Sequence, residues 1–313
     1  MPGSPADSFL RPPADFSLDE DGCARAPETG DVYFSAEDGL AESRAVFLQG
    51  CGLPQRWTDR AEFTIAELGF GTGLNIAALL ELWRRTRPAG ARLHIVTVEG
   101  RPLSRVQAEA AFARWPELSD VAARLLANWP PRWSGAHRRR FDELGVTLTI
   151  LHEDAEAALA QADFRADAWF LDGFAPARNP QMWSEAVMRE MARLSAPGAV
   201  AATFTVAGAV RRGLEAVGFR VEKKPGFGRK RERLEAVYTG IPAIETPTPF
   251  PRLAPQAGRV AVIGGGIAGA SLAHALRARG RDVVLIAEGG LAAGASGAPS
   301  GLLTPRLEAA DRP

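Results

Sequence analysis

The sequence has little of what would mark it as secreted, metal-bound or membrane-embedded. Its 313 residues include only two cysteines, Cys23 and Cys51, too few for a disulfide framework or a structural zinc site. Basic and acidic residues number 37 each, so the zero net charge excludes a global attraction to nucleic acid. No apolar run is long enough to cross a bilayer, and no secretory signal pattern opens the chain. We expect a cytoplasmic monomer in a reducing compartment, with no metal and no membrane partner.

What the chain does contain is typical of a globular protein: 46% of its residues are hydrophobic and 24% are charged. The length favours two domains. Prolines at positions 242, 247, 249, 251 and 255 predict a semi-rigid linker over residues 241–257. We therefore expect an irregular segment over residues 1–30, a first domain over 31–240 and a short second unit over 258–313.

Strand and helix patterns alternate through the first domain. This alternation predicts an α/β fold with a mostly parallel sheet. Helices are expected over residues 43–49, from the glycine turn to about residue 87, and over 207–216. The predicted strands span residues 63–68, 93–98, 146–151, 166–171, 199–205, 219–223 and 234–238.

A glycine-rich turn follows the first predicted strand of this sheet. It reads Glu67-Leu-Gly-Phe-Gly-Thr-Gly-Leu-Asn75 and leads directly into an apolar helix. Glycines at 69, 71 and 73 allow the backbone to approach a ligand closely. Their spacing is G-x-G-x-G, which differs from the G-x-G-x-x-G of dinucleotide sites. The candidate cofactor-binding residues of this turn are Glu67, Gly69, Gly71, Gly73 and Asn75.

An acidic residue stands at the end of three other predicted strands. Glu99 follows the second strand, where a carboxylate can accept both hydroxyls of a ribose. Asp154 follows the third and could reach an adenine amino group. Asp172 follows the fourth, in a sharp break made by Gly173 and two prolines, and is a catalytic candidate. Each acid alone is an ordinary polar strand end, but their recurrence is a stronger signal.

Cations crowd the segment that joins the last two predicted strands. Glycines allow this loop to adapt its backbone to an RNA surface. An aromatic side chain can stack on a base, and cations can contact phosphates. The alternative is a solvated hairpin whose charges serve solubility. A smaller basic run, residues 137–140, is interpreted as a solvated face. The candidate RNA-binding residues are Lys224, Phe227, Arg229, Lys230 and Arg231.

The second unit opens with a strand, a glycine motif and a helix. Gly264, Gly266 and Gly269 have the G-x-G-x-x-G spacing, and a second strand over residues 282–286 ends near Glu288. This context predicts a dinucleotide site, with pyrophosphate at the helix N-terminus and Glu288 on the ribose. The motif does not choose between FAD and NAD. One such βαβ start is too small to bury a dinucleotide.

The order of glycine turn, ribose acid, adenine-side acid and catalytic acid resembles that of class I S-adenosylmethionine methyltransferases. This resemblance implies a Rossmann-like, mostly parallel sheet of seven strands, which the seven predicted strands fit. Taken together, the two units resemble a family of bifunctional tRNA-modifying enzymes, in which an FAD-dependent oxidoreductase follows the methyltransferase. The segments that carry this resemblance are residues 31–35, 67–75, 169–183, 202–205, 226–232 and 294–297.

The resemblance implies a specific reaction. The methyl group of S-adenosylmethionine would pass to the 5-aminomethyl group of (2-thio)uridine at tRNA position 34. Asp172 would orient and deprotonate that amine, and Phe174 would flank the splayed base. The FAD site would be vestigial in this chain, and removal of a carboxymethyl group is not expected from it. Two alternatives remain: an FAD-dependent oxidoreductase fragment, and a non-catalytic RNA-binding protein with a methyltransferase fold.

Overall fold

The computed structural model describes residues 10–28, 30–35, 37–228, 231–240 and 258–298. The chain divides into two compact units, residues 1–245 and 246–313. The predicted linker, residues 241–257, lies outside the described residues. No helix in the described part of the chain is long and apolar enough to cross a membrane.

The first unit begins with a small antiparallel sheet. Its strands are β1 (Ser17–Leu18), β2 (Ala24–Ala26) and β3 (Asp31–Val32), in that order. The prediction that residues 1–30 are irregular is therefore wrong for the part that contains β1 and β2. Strands of two or three residues are too short to show an alternating pattern in the sequence.

A second, larger sheet organises the first unit. Its order is β10-β11-β9-β8-β4-β5-β7-β6, and the five central strands run parallel. Strands β6 and β11 are antiparallel to their neighbours β7 and β9. The strands are β4 (Glu62–Leu68), β5 (Arg92–Val98), β6 (Gly135–Phe141), β7 (Val146–His152), β8 (Ala166–Leu171), β9 (Ser195–Thr203), β10 (Phe219–Pro225) and β11 (Glu232–Tyr238).

The predicted α/β fold is confirmed, but the sheet has eight strands rather than seven. The additional strand, β6, contains the basic run that was interpreted as a solvated face. Only Phe141 of this strand is buried, so its sequence lacks the apolar alternation that marks a half-buried strand. It forms because its backbone pairs with β7 at the edge of the sheet.

Helices cover both faces of this sheet and bury two separate hydrophobic cores. Neighbouring residues of β4 show the division, since Ile65 belongs to one core and Ala66 to the other. On the Ile65 face lie α1 (Gly39–Ser43), α2 (Leu74–Thr86), α3 (Arg105–Phe112) and α4 (Ser119–Ala127). On the Ala66 face lie α5 (Ala155–Gln161), α6 (Glu185–Arg193) and α7 (Gly208–Ala216).

The described residues of the second unit, 258–298, contain one βαβ element. Strands β12 (Arg259–Ile263) and β13 (Asp282–Ile286) pair in parallel, with α8 (Ile267–Ala278) between them in the chain. Among the described residues of this unit, Val262 is the only buried hydrophobic one. The strand, glycine turn and helix predicted from the sequence are all present.

Candidate functional site

The site lies at the topological switch point of the large sheet, where the strand order changes direction at β4. Strand β4 has β5 on one side and β8 on the other, and all three run parallel. Ligands bind beyond the carboxyl ends of the strands at such a switch point. Leu68 of β4 is opposite Leu171 of β8, and the backbone N–H of Asp172 donates to the Leu68 carbonyl at 3.0 Å. This pairing brings the glycine turn and Asp172 together.

The glycine turn adopts a backbone conformation that suits glycine at each of its three positions. The φ angles of Gly69, Gly71 and Gly73 are +94°, +51° and +80°, in the left-handed region. The Gly71 N–H donates to Glu99 Oε2 at 2.8 Å, and the Arg101 N–H donates to Glu99 Oε1 at 2.8 Å. Two backbone donors thus fix the Glu99 carboxylate against the turn.

Asp172 belongs to a cluster of polar side chains beneath the turn. Asn75, in the first turn of α2, donates from Nδ2 to Asp172 Oδ2 at 2.6 Å and to Glu67 Oε1 at 3.1 Å. The Thr97 hydroxyl donates to Glu67 Oε2 at 2.7 Å, and the Ser43 hydroxyl donates to Asn75 Oδ1 at 2.6 Å. Four elements therefore meet at one buried set of hydrogen bonds, which we call the Asn75 cluster.

Burial shifts the acidity of the carboxyl groups around the turn. Glu67 is only 1% exposed, and this burial raises its pKa well above the ordinary value. The Thr97 hydrogen bond opposes the shift, while the charge of Asp172 adds to it. Burial also raises the pKa of Glu99, against the backbone donors of Arg101 and Gly71. The cluster thus favours a neutral Glu67 beside Asp172.

Aromatic side chains from two distant segments meet over the turn. The rings of Tyr33 and Phe174 are in edge-to-face contact, with centroids 5.3 Å apart. A β-carbon on Gly71 would be 3.4 Å from the Tyr33 ring. The Ala175 N–H donates to Asp31 Oδ2 at 2.9 Å. Contacts of the small N-terminal sheet with the loop after β8 therefore place Phe174 beside the glycine turn.

Asp154 lies at the expected end of the sheet but faces solvent. Its side chain is 76% exposed and accepts from Arg11 Nη2 at 2.8 Å. Arg11 also donates to Glu153 Oε1 at 2.7 Å and to the Gly100 carbonyl at 3.1 Å. Arg11 thereby ties together the loops that follow β5 and β7.

The basic hairpin joins β10 to β11, and its turn lies at the same edge of the sheet as Asp172. Leu234, near the start of β11, is opposite Thr203, the last residue of β9, which fixes this location. Lys224 pairs with Glu222 at 2.7 Å, Arg231 is exposed, and Phe227 is half-buried against the Ile65-side core. Arg229 and Lys230 lie outside the described residues.

The second unit forms the predicted glycine turn. Gly264 has a φ of +109°, and Gly266 precedes the first residue of α8. A β-carbon on Gly269 would overlap the Gly264 carbonyl oxygen, so this helix residue must be small for close packing. Glu288 is exposed beyond the end of β13, and Ser296 Oγ accepts from the Ile267 N–H at 3.0 Å.

Three residues of the site were not singled out from the sequence: Ser43, Thr97 and Arg11. Ser43 and Thr97 lie within an ordinary helix and an ordinary strand. Ser43 contacts Asn75 across 32 positions of the chain, and Thr97 contacts Glu67 across 30. No local sequence pattern could therefore predict these contacts. Tyr33 lies in residues 31–35, one of the segments that carry the family resemblance.

Two family models match parts of this chain. Residues 116–239 match a family model described as S-adenosyl-L-methionine-dependent methyltransferase, and residues 259–312 match one described as FAD dependent oxidoreductase. The fold is similar to the crystal structure of MNMC2 from Aquifex aeolicus, with a TM-score of 0.57 and 21% identity. That similarity covers 73% of this chain and 70% of the other.

The fold and the matched models define the first unit as a class I S-adenosylmethionine-dependent methyltransferase fold. The second unit resembles part of an FAD-dependent oxidoreductase domain. S-adenosylmethionine and FAD, the two predicted cofactors, are those named by these models. Of the three glycines in the turn, Gly71 leaves the most room beside its backbone, because a β-carbon there would meet only the Tyr33 ring, at 3.4 Å.

More particularly, the chain is related over nearly its whole length to the tRNA 5-methylaminomethyl-2-thiouridine biosynthesis bifunctional proteins MnmC, which confirms the predicted resemblance. It is 58% identical to the protein of Maricaulis maris over 98% of this chain and 52% of that one. It is 53% identical to the protein of Caulobacter vibrioides over 94% of this chain and 48% of that one. The chain thus spans about half the length of these relatives.

Proposed function

We propose that the first unit methylates the 5-aminomethyl group of (2-thio)uridine at position 34 of tRNA, giving 5-methylaminomethyl-(2-thio)uridine. The relatives named for the biosynthesis of this nucleoside support the substrate. The observation that carries the proposal is the placement of Asp172, at the switch point of the sheet and beside the glycine turn. The enzyme would act on tRNA in the cytoplasm.

The chemistry requires a neutral amine, because an ammonium group has no lone pair. S-adenosylmethionine, when bound, supplies an electrophilic methyl group on a sulfonium. Asp172 accepts a hydrogen bond from the amine, orients its lone pair and takes its proton. The bound cofactor would supply the methyl group to the nitrogen of this amine, and its carbon–sulfur bond would break as the nitrogen–carbon bond forms, leaving the electron pair on the thioether. Alignment of these atoms supplies much of the remaining acceleration.

The other site residues have supporting roles in this proposal. The glycine turn and Glu99 hold the cofactor, with Glu99 on its ribose. Asp154 serves the adenine, although it must leave Arg11 to do so. Phe174 flanks the flipped base, and its contact with Tyr33 supports that placement. Lys224, Phe227, Arg229, Lys230 and Arg231 contact the tRNA.

The second unit is proposed to be the start of an FAD-dependent oxidoreductase domain over residues 258–313. The matched family model and the turn of Gly264, Gly266 and Gly269 support this assignment. In this proposal Glu288 faces the ribose of FAD. The methyltransferase domain spans residues 31–240, and residues 241–257 connect the two.

Replacement of Asp172 tests the proposed function. Asp172→Asn keeps the shape of the side chain but cannot accept a proton as a carboxylate does. We expect unchanged affinity for S-adenosylmethionine by calorimetry and a fall of about two to four decades in methyl transfer to tRNA that carries 5-aminomethyluridine. Near-native turnover by the variant would refute the assigned role. Lack of transfer by the wild-type chain would refute the function itself.

A further inference from the structure

We propose that Asn75 and Ser43 are positioning residues for Asp172, and that Asn75 does not serve the cofactor as its place in the glycine motif suggests. The inference rests on the proposed methyl transfer and deepens it. It extends the machinery of the site to a serine on α1, a helix that carries no recognisable motif.

The contacts of Asn75 leave its amide committed to protein groups. A side-chain amide has two N–H donors and one carbonyl acceptor. Nδ2 donates to Asp172 at 2.6 Å and to Glu67 at 3.1 Å, while Oδ1 accepts from Ser43 at 2.6 Å. Asn75 is 6% exposed. A cofactor would have to displace one of these three hydrogen bonds to use the amide.

The two carboxyl groups determine which way the Asn75 amide faces, and Ser43 completes this arrangement by donating to the amide oxygen. The Ser43 hydroxyl is buried and occupies the carbonyl side of the amide, while the NH₂ group faces the two carboxyl groups. The reversed amide would direct its carbonyl oxygen at Asp172, and two acceptors would then oppose each other. Ser43 is the last residue of α1, immediately before a π-helical turn at Arg44–Gln49. Such turns occur frequently at functional sites.

The carboxylate of Asp172 needs this support because it follows the last residue of β8. Its backbone is fixed by the hydrogen bond to Leu68, but that bond does not set the rotation of the carboxylate. Hydrogen bonds to charged groups are stronger than those between neutral partners. The 2.6 Å bond from Asn75 therefore holds Oδ2 of Asp172 and restricts the rotation of its carboxylate.

Replacing the amide tests the proposal directly. Asn75→Asp has nearly the same size but loses both N–H donors, and Asn75→Ala removes the whole amide. Because a misplaced catalytic group can cost about a hundredfold in rate, we expect kcat to fall roughly 10- to 100-fold in both variants. Ser43→Ala should lower kcat in the same direction by a smaller factor. The dissociation constant for S-adenosylmethionine, measured by calorimetry, should stay within about threefold of wild type.

A double-mutant cycle separates positioning from a general loss of structure. In an Asp172→Asn background, Asn75→Ala should have little further effect on kcat, because the group that it positions is already inactive. Thr97→Val is a matched control, since Thr97 contacts Glu67 but has no contact with Asp172 among those observed. It should lower kcat much less than Asn75→Ala. Urea unfolding of each variant checks that the fold is retained.

Two results would overturn the inference. One is a loss of cofactor affinity in Asn75→Ala that accounts for the whole loss of kcat/KM. The other is a loss of kcat in Asn75→Ala of the same factor in the wild-type and Asp172→Asn backgrounds. Failure of the proposed function is recognised separately, because the wild-type chain itself would then transfer no methyl group, and the positioning role would fall with it.

Discussion

Gly69 packs so closely against Asp172 that a β-carbon on Gly69 would overlap the Asp172 carbonyl oxygen. The first glycine of the motif is therefore needed for contact between two strand ends, rather than for room around a ligand. Gly71 differs, because its N–H binds Glu99 and its open side faces the Tyr33 ring. Gly69 and Gly71 thus belong to one motif but contact different neighbours.

Replacement of Gly69 should damage both stability and activity. Gly69→Ala combines a left-handed backbone with a direct clash, so we expect a loss of more than about 2 kcal/mol in the free energy of unfolding. Gly90→Ala is the matched control, because Gly90 has a φ of +73° but nothing within 4 Å of its added β-carbon. The control should lose only about 1–2 kcal/mol. Equal losses in urea unfolding would contradict the packing role.

Glu99 and Gly71 should be required for cofactor affinity. Glu99→Ala leaves the N–H groups of Gly71 and Arg101 without their acceptor and removes the proposed ribose contact. We expect binding of S-adenosylmethionine to weaken by about 1–3 kcal/mol. Gly71→Val should abolish binding, because valine at a φ of +51° is strained and its side chain would crowd the Tyr33 ring. If calorimetry finds native affinity in both variants, Glu99 and Gly71 do not belong to the cofactor site.

Glu67 should make the protein less stable as pH rises. Because its pKa is raised by burial, the folded protein keeps a proton that the unfolded chain releases near pH 4.5. Between that pH and the raised pKa, unfolding releases a proton. Stability therefore falls with increasing pH, by up to about 1.4 kcal/mol per pH unit.

Glu67→Gln should remove this fall, because an amide does not titrate in this range. The variant should be more stable than wild type at about pH 8, with the difference shrinking towards about pH 5. Urea unfolding across this range, without cofactor, makes the comparison. Parallel stability curves for the two proteins would show that Glu67 is ionised in the folded state.

The basic hairpin should contribute to the salt dependence of tRNA binding. Loss of Lys224 and Arg231 together should lower the slope of log affinity against log salt by about 0.7–0.9 for each phosphate contact removed. Lys224 must leave Glu222 to reach a phosphate, so its own contribution should be the smaller one. Arg84→Ala removes a cation from the far end of α2, where it pairs with Glu81, and should leave the slope unchanged. An unaltered slope in the hairpin variant would indicate a solvated surface.

The sequence by itself determined the central parallel strands of the sheet and the local form of the two glycine turns. Strand β8 begins and ends where its apolar run does, because strands buried on both faces are continuous hydrophobic segments. The two glycine turns could also be read directly, because each is a local backbone structure set by consecutive residues. Acids at strand ends followed from the rule that parallel strands present their carboxyl ends at one edge.

Only the tertiary structure decided which of these residues meet. Asn75 contacts Ser43 across 32 positions and Asp172 across 97, and hydrogen bonds over such separations leave no periodic trace in the sequence. The same holds for β6, whose arginines carry no apolar pattern and whose strand form depends on the backbone of β7. Local patterns report the preferences of neighbouring residues. The partners of a buried amide are set by the packing of whole elements, and this packing turned a residue of the glycine motif into a support for Asp172.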